Sequence, residues 1–279
     1  MHLKLIKNEP ALLLQEKSRR ILVVADLHIG YERTLFKKDQ YSVNLAERII
    51  QRFEQLVANV KPSEVIILGD LKHSIRDFSP QEFNKVAVLL NQIQQKASLT
   101  IVRGNHDADI ELVVPDDTQI IPASGFKLSF DSQQVFLIHG HAQPTQDILD
   151  CSSLLMAHIH PVIAISSLKN RITTHRVWVK AKWKPTIIDA MKKWLGKTTI
   201  NSRRANLDQL LNMRVLILPA FLDLLRGHVL NSEVTENHLG IPLFRHLSMD
   251  NSEIFLLDHT PLGRLEDLQS RRETKEEKF

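Results

Sequence analysis

Three apolar runs in the first half of the sequence constrain the fold most strongly. "RILVVAD", "EVIILGD" and "SLTIVRGNHD" are rich in β-branched residues, and amphipathic helical patterns separate them at residues 42–62 and 79–95. Continuous apolar runs are typical of strands that are covered on both faces. Strands that alternate with helices predict parallel pairing through right-handed crossovers. The chain is therefore predicted to belong to the α/β class.

The second half carries strand patterns without long helices between them. "GFKLSF", "QQVFLIHG", "SLLMAHIHP" and "VIAISS" predict a second, more antiparallel sheet, and the late runs "RVLILPAF" and "SEIFLLD" are expected to return to the core. The expected organisation is a core, a basic insertion that forms an appendage, C-terminal strands that complete the core, and a charged tail. These parts cover residues 1–168, 169–213, 214–265 and 266–279.

Several classes of protein are disfavoured by the composition. Cys151 is the single cysteine, so a disulfide within the chain is excluded, which suits a reducing compartment. The N-terminal residues lack the apolar core and the cleavage site of a signal peptide. No apolar run approaches the ~18 residues that a membrane span needs. We therefore expect a cytoplasmic protein without a membrane span.

Polar side chains follow five of the apolar strands, at the point where each strand ends. The carboxyl ends of neighbouring strands are where sites form in open α/β sheets. One such residue alone is usually a turn residue, but the series favours a metal site. Carboxylate, imidazole and amide ligands suit Mn, Fe or Zn, in a number sufficient for two ions that share a bridging carboxylate. The residues are Asp26, His28, Asp70, His73, Asn105, His106, Asp107, His139, His141, His158 and His160.

Five motifs carry a resemblance to a known family. "ADLHIG", "LGDLKH", "VRGNHD", "LIHGH" and "AHIHP", in this order, resemble the calcineurin-like metallophosphoesterase superfamily. With the late "LPAF…G…N…LLD", they are most similar to the ICC-like predicted phosphoesterases, which include a DNA-ligase-associated branch. The resemblance implies a four-layer α/β/β/α sandwich with two mixed sheets. Ala157 stands where the family usually has Gly; its methyl group would crowd the backbone there more than Gly does, but the metals are expected to be retained.

The resemblance also implies a ligand set for two divalent metal ions, with manganese expected before iron, zinc or nickel. Asp70 would bridge the two ions, since it belongs to both sets. One ion would be held by Asp26, His28, Asp70 and His160, and the other by Asp70, Asn105, His139 and His158.

Three more residues receive catalytic roles from the resemblance. His106 would be the general acid for the leaving oxygen, and Asp107 would orient it and favour its imidazolium form. His73 matches a histidine that helps to place the DNA strand in the nuclease subunit of double-strand-break repair complexes. The alternative for His73 is a solvent-facing residue at a helix start. His141 is either a residue behind the ligands or a turn residue.

A basic segment lies between the two groups of strands. Residues 169–204 contain eleven Lys or Arg and one acid, whereas the whole chain has a net charge of only +4. In "RVWVKAKWK", strand alternation predicts that the basic residues and one tryptophan share a face, which would suit single-stranded nucleic acid. The alternatives are a solvated basic face or a helix on anionic lipid. The residues of this face are Arg176, Trp178, Lys180, Lys182 and Lys184.

Three functions are consistent with these patterns. The first is a metal-dependent phosphodiesterase acting on DNA or RNA in repair or processing, with a DNA-repair helicase or ligase as partner. The second is a small-molecule phosphatase or cyclic-nucleotide phosphodiesterase, because the fold does not fix the substrate. The third is a non-catalytic scaffold, which the complete ligand set disfavours. Nothing in the sequence decides the oligomeric state.

Overall fold

The computed structural model describes residues 1–35, 45–75, 79–166, 171–196, 206–232 and 241–269. Within these ranges two mixed sheets stack face to face and helices cover both outer faces, so the predicted four-layer sandwich is confirmed. In the first sheet the strand order is β1-β2-β3-β4-β5-β6, and β3 to β6 are parallel. The strands are β1 (His2–Leu5), β2 (Ala11–Glu16), β3 (Arg19–Val24), β4 (Glu64–Leu68), β5 (Ser98–Val102) and β6 (Gln119–Ile121).

The second sheet has the order β13-β10-β11-β12-β9-β8-β7, and β14 pairs with both β11 and β15. Its strands are β7 (Phe126–Ser129), β8 (Gln134–Ile138), β9 (Ser153–Met156), β10 (Pro161–Ser166), β11 (Ile172–Ala181), β12 (Arg214–Ile217), β13 (His228–Val229), β14 (Glu253–Leu256) and β15 (Pro261–Arg264). Within the described ranges the helices are α1 (Glu32–Leu35), α2 (Leu45–Val60), α3 (Pro80–Gln94), α4 (Ile187–Leu195) and α5 (Asn206–Leu211). None of the described helices is long and apolar enough to cross a lipid bilayer.

Apolar side chains of the described residues form three clusters, one at each interface between layers. The first joins α2 and α3 to the outer face of the first sheet, with Phe53 wholly buried. The second lies between the sheets and contains Ile21 and Val23 of the first sheet together with Leu155 of the second sheet. The third joins the outer face of the second sheet to α4 and α5. Because successive residues of a strand face opposite ways, each central strand contributes to two clusters.

The basic segment departs from the expected appendage. Strand β11 lies inside the second sheet and pairs with β10, β12 and β14, and α4 packs on that sheet. The described part of the segment therefore belongs to the core, while residues 167–170 and 197–205 lie outside the described ranges. Trp178 is wholly buried between the sheets, so the prediction that it stacks on bases is wrong. Strand alternation groups residues by face correctly, but the second face of this strand is covered by the other sheet.

Candidate dinuclear metal centre

The polar residues predicted from the strand ends meet at one edge of the sandwich. Asp26 and His28 follow β3, and Asp70 follows β4 after one glycine. His139 directly follows β8, and His158 follows β9. Parallel strands bring their carboxyl ends to the same edge, and the two stacked sheets supply ligands from opposite sides.

The first group of metal-ligating side chains is compact. One ligand atom from each of four residues lies within 4.8 Å of every other. The Nε2 atom of His160 is 3.2 Å from Oδ1 of Asp26, and the Nε2 atom of His28 is 3.5 Å from Oδ2 of Asp70. The two Nε2 atoms are 3.4 Å apart. The members of the group are Asp26, His28, Asp70 and His160.

The second group shares Asp70 with the first. The ligand atoms of Asp70, His139 and His158 also lie within 4.8 Å of one another. The Nε2 atom of His139 is 3.4 Å from Oδ2 of Asp70 and 3.0 Å from Nδ1 of His158. Nδ1 of His139 is 2.9 Å from the Leu68 carbonyl and donates to it, so Nε2 is the nitrogen left to bind a cation. A shared carboxylate between two groups is the arrangement of a dinuclear centre.

The residues present fit two divalent cations. Oδ1 of Asn105 and Oδ1 of Asp26 are buried without a hydrogen-bond partner. Such atoms are costly unless another group satisfies them. A cation in each group would bind these buried oxygens, and it would also bind the imidazole nitrogens that face one another. Asn105 lies in the loop after β5 at the same edge of the sheet, and the resemblance implies it as a further oxygen ligand of the second group. Imidazole, carboxylate and amide donors suit manganese, iron or zinc.

The electrostatics prepare the histidines for metal binding. Burial lowers the pKa of both His28 and His158 to about 3, so both rings are neutral near pH 7 and keep a free lone pair. Burial also lowers the pKa of His139, but the charge and hydrogen bond of Asp70 outweigh it and raise that pKa to about 9. Burial works against the charge of Asp70, yet His139 and His28 keep the pKa of this carboxyl below its usual range.

The backbone at the ligands is held in an uncommon conformation. Five of the ligands have a positive φ, a region that non-glycine residues rarely occupy. Such residues cluster at functional sites because the surrounding structure must hold them there. The values are 56° for Asp26, 45° for His28, 51° for Asp70, 75° for His158 and 47° for His160.

Two glycines leave room for these ligands. A Cβ atom at Gly104 would overlap the side chain and the backbone nitrogen of Asp70. A Cβ atom at Gly69 would overlap the ring of His139, and Gly69 has a φ of 84°. The "GD" and "GN" pairs of the sequence are therefore required by close packing around the shared carboxylate of Asp70 as well as by turn geometry.

Asp107 does not have the position expected for it. Its carboxylate accepts backbone N–H bonds from Asp70 at 2.8 Å, Leu71 at 3.0 Å and Gly104 at 2.8 Å, and it is 1% exposed. The predicted orientation of His106 by Asp107 is thus corrected, because its oxygens are turned toward backbone amides. Asp107 ties the loop after β4 to the loop after β5.

His106 is instead oriented by a carbonyl. Its Nδ1 contacts the backbone oxygen of His73, so Nδ1 carries a proton and Nε2 is the nitrogen available for proton exchange. Its backbone N–H donates to Oδ1 of Asp70 at 2.9 Å, and its ring centroid is 4.8 Å from that of His28. The general-acid candidate therefore lies directly beside the ligands.

His73 is part of the same cluster of rings, and it does not begin a helix. It lies in the loop between β4 and α3, half-buried, with Nε2 at 2.9 Å from the Thr34 hydroxyl and Nδ1 at 3.4 Å from Nδ1 of His28. Because Nε2 of His28 faces the ligands, its Nδ1–H is directed to His73. A histidine that ligates a metal commonly donates its other N–H in this way, which fixes its tautomer. The contacts of His73 therefore fix the tautomer and the orientation of the His28 ring.

Two buried charged residues behind the site received no role from the sequence. Glu82, 2% exposed, accepts bonds from His73 N–H at 3.1 Å, Ser74 N–H at 2.9 Å and the Ser74 hydroxyl at 2.6 Å. Lys72 is wholly buried, and its Nζ donates to the backbone oxygens of Ser74 and Ile75. Glu82 follows Ser79 by three residues, a spacing typical of a helix cap. That spacing does not indicate that Glu82 also accepts hydrogen bonds from His73 and Ser74.

Ala157, the departure from the family pattern, is accommodated. Its N–H donates to the His139 carbonyl at 2.9 Å, and the residue is wholly buried in the cluster between the sheets. The methyl group thus adds to an apolar interface, and the expected crowding of the ligands is not observed.

His141 lies near the second ligand group, with its ring centroid 5.3 Å from that of His139 and its buried Nδ1 without a hydrogen-bond partner. His141 therefore lies behind the second ligand group, which corresponds to the first of the two alternatives predicted for it.

The late "LPAF…G" motif closes the site from the C-terminal half of the chain. Phe221 N–H donates to the Ala25 carbonyl at 2.9 Å, next to the ligand Asp26. The N–H of His228 donates to the His160 carbonyl at 3.0 Å, and a Cβ atom at Gly227 would overlap that carbonyl. These contacts hold both ends of the first ligand group.

A comparison with family models places the chain. The model for calcineurin-like phosphoesterases matches residues 19–275. The chain belongs to the calcineurin-like phosphoesterase family. Its members are metal-dependent phosphoester hydrolases, which agrees with the ligand groups found in this phosphoesterase.

Similar solved structures include the Pseudomonas putida nuclease MPE, with 19% identity, 94% of this chain and 100% of that chain covered, and a TM-score of 0.49. The Escherichia coli phosphoesterase YfcE has 24% identity, covers 53% of this phosphoesterase with 73% of its own chain, and has a TM-score of 0.35. A predicted phosphoesterase from Streptococcus pneumoniae has 12% identity, coverage of 90% and 100%, and a TM-score of 0.32. No curated protein matches the sequence.

Proposed function

We propose that this phosphoesterase is a nuclease that hydrolyses phosphodiester bonds of DNA or RNA with two divalent cations, manganese being the first candidate. The observation that carries the proposal is the sharing of Asp70 by two ligand groups, with His106 beside them. When bound, two cations supply a water of lowered pKa and neutralise charge on the phosphoryl oxygens. Two of the imidazoles that would hold them, those of His28 and His158, are neutral near pH 7.

His106 is proposed to transfer the proton that the leaving oxygen needs. The Nδ1 atom is held by the His73 carbonyl, so the ring can exchange a proton only through Nε2. The leaving oxygen of a nucleic acid is an alkoxide of high basicity, which requires such a proton. A nitrophenolate leaving group does not, because it is stable as an anion. General-acid assistance of this kind contributes about 10²- to 10⁴-fold.

Nucleic acid is favoured over a small phosphoester by the concentration of positive charge. Residues 169–204 carry eleven basic residues and one acid, and the exposed Lys180 and Lys182 belong to that segment. Polyanion binding by such a surface is the usual basis of nucleic-acid affinity. A role in DNA repair, next to a helicase or a ligase, is part of the same proposal and follows from the resemblance to the DNA-ligase-associated branch.

A manganese-dependent cleavage panel tests the proposal. It contains single- and double-stranded DNA, RNA and bis-p-nitrophenyl phosphate, with Asp70→Ala and His106→Ala as variants. We expect Asp70→Ala to lose activity on every substrate. His106→Ala should lose about 10²-fold or more on nucleic acid and much less on the nitrophenyl ester. Rapid turnover of small phosphoesters with no cleavage of any DNA or RNA would favour the small-molecule phosphatase and refute the nuclease.

A further inference from the structure

A basic groove lies at the end of the second sheet opposite the metal ligands. It has a volume of about 960 Å³ and opens between the inner face of this sheet and the edge strand β1. Its lining includes four basic side chains and one carboxylate, that of Glu253. The basic residues are Lys180, Lys182, Arg214 and Arg264.

Strand pairing brings these charges together. Lys180 pairs with Glu253 across β11 and β14, and Glu253 pairs with Arg264 across β14 and β15. Arg214 begins β12, beside the end of β11. The four cations therefore form one continuous rim, although they come from separate parts of the sequence.

The positive charge of this rim is only weakly compensated. Lys180 lies with Nζ 4.2 Å above the centre of the Phe255 ring, and Arg214 donates to the side chain of Gln133 at 3.4 Å. Arg264 is 3.5 Å from a carboxylate oxygen of Glu266. Among the ion pairs found in the described residues, none involves Lys180, Lys182 or Arg214. The groove therefore presents a surplus of cations to an anionic ligand.

The groove is separate from the catalytic edge. Arg214 is paired with Ser153, the first residue of β9, whereas His158 lies beyond the other end of that strand. Five residues of extended chain span about 16 Å. A ligand that occupies both places must be a polymer, since a mononucleotide is too short.

We propose that this groove binds the phosphate backbone of a single-stranded nucleic acid several nucleotides away from the bond that is cut. The inference rests on the proposed nuclease function. Each strand of a duplex carries a phosphate about every 3.4 Å along its axis and a single strand can extend further per nucleotide, so a separation of about 16 Å corresponds to at most roughly five nucleotides. The family hydrolyses phosphoesters. A polymeric phosphoester carries further phosphates away from the bond that is cut, and a basic groove outside the metal site can bind them. Lys180 and Lys182 thus keep their predicted partner, and Arg214 and Arg264 replace Arg176 and Trp178.

Binding without metal tests the groove alone. Fluorescence anisotropy of a labelled oligo(dT) of about 20 nucleotides is measured in EDTA for Lys180→Glu combined with Lys182→Glu. The control combines Arg48→Glu with Lys96→Glu, which makes the same change in net charge at two exposed sites on the helical layer of the first sheet. We expect about tenfold or more weaker binding for the groove variant, and a salt slope reduced by about 1.4 for two lost phosphate contacts. Equal affinities of the groove variant and the control would overturn the proposal.

Cleavage separates the groove from the proposed function. With manganese, the groove variant should show a raised KM for the long oligonucleotide and unchanged turnover of a dinucleotide, which is too short to reach the groove. Binding of oligo(dT) that depends on the lysines, without any cleavage, would refute the nuclease and retain the groove. If the groove variant binds oligo(dT) as the control does and still cleaves it, the groove is refuted and the nuclease is retained. Tighter binding of polyglutamate than of oligo(dT) would overturn the assignment to nucleic acid.

Discussion

Replacing Asp107 by alanine distinguishes two roles for this carboxylate. If Asp107 orients His106, the substitution lowers turnover and leaves the fold intact. If it ties two loops together, as its bonds to the backbone of Asp70, Leu71 and Gly104 indicate, the substitution destabilises the protein and loosens the metal ligands. The structure predicts the second result.

The magnitude follows from the bonds that are lost. Four backbone N–H groups lose their acceptor in Asp107→Ala, those of Asp70, Leu71 and Gly104 and, at 3.5 Å, that of Lys72, and each unsatisfied donor costs about 1–3 kcal/mol. With partial relaxation we expect a loss of about 3–6 kcal/mol in the free energy of unfolding. In Asp107→Asn the remaining oxygen can take the place of Oδ2, which serves Asp70 and Gly104. The bond from Leu71 and the longer one from Lys72 are then lost, so we expect about 1–3 kcal/mol.

Urea denaturation of the metal-free protein measures both changes, with Asp117→Ala as the control for loss of an exposed carboxylate. The control should stay within about 0.5 kcal/mol of the unaltered chain. Manganese content after gel filtration provides the second measurement, and it should fall in Asp107→Ala. A loss of stability below about 1 kcal/mol for Asp107→Ala, together with full metal content and low turnover, would show that the loop-tying role is wrong.

Three further outcomes are expected at the metal centre. Gly104→Ala should prevent manganese uptake, because its Cβ would overlap Asp70; circular dichroism and metal analysis check this, and normal uptake would contradict it. Asp70→Ala should lose both ions because both groups share this ligand, whereas His160→Ala should retain the ion of the second group; elemental analysis of purified variants measures the difference, and equal contents would count against a bridging carboxylate. Metal affinity should rise as pH increases toward about 9, because the raised pKa of His139 means that a proton competes with the cation at pH 7. Calorimetry in buffers of different ionisation enthalpy should detect about one proton released per chain, and the absence of proton release would contradict the assignment.

The architecture of the first sheet could be predicted because local patterns determine it. After their polar first residues, the runs that became β3, β4 and β5 consist of apolar or β-branched residues, and the helices between them have one apolar face each. These features specify buried parallel strands whatever the rest of the chain does. The short strands β13 and β15 lack such patterns, since two to four residues of mixed polarity are placed by their neighbours.

The candidate ligands were also predictable, because all of them lie within four residues after the end of a strand and the series of carboxylate, imidazole and amide side chains favours a metal site. Lys72 and Glu82 were not, although both are buried at the same edge. The partners of Glu82 are two amides and a hydroxyl in a loop eight or nine residues away. A charged residue in the first turn of a helix is usually explained by the helix itself. Only the folded loop shows that Glu82 also fixes the carbonyl that orients His106.

The basic strand shows where periodicity stops being informative. Alternation in "RVWVKAKWK" states which side chains share a face, and the sheet order decides what covers that face. At the end near the ligands, Arg176 turns inward and donates to the carbonyls of Ala220 and Phe221, the same segment that holds Ala25 beside Asp26. At the other end, where the sheets separate, Lys180 remains exposed in the groove. Residues of one face thus have different tasks because the neighbouring sheet covers only part of the strand, so a basic strand in an α/β/β/α sandwich has to be divided by position before nucleic-acid contacts are assigned to it.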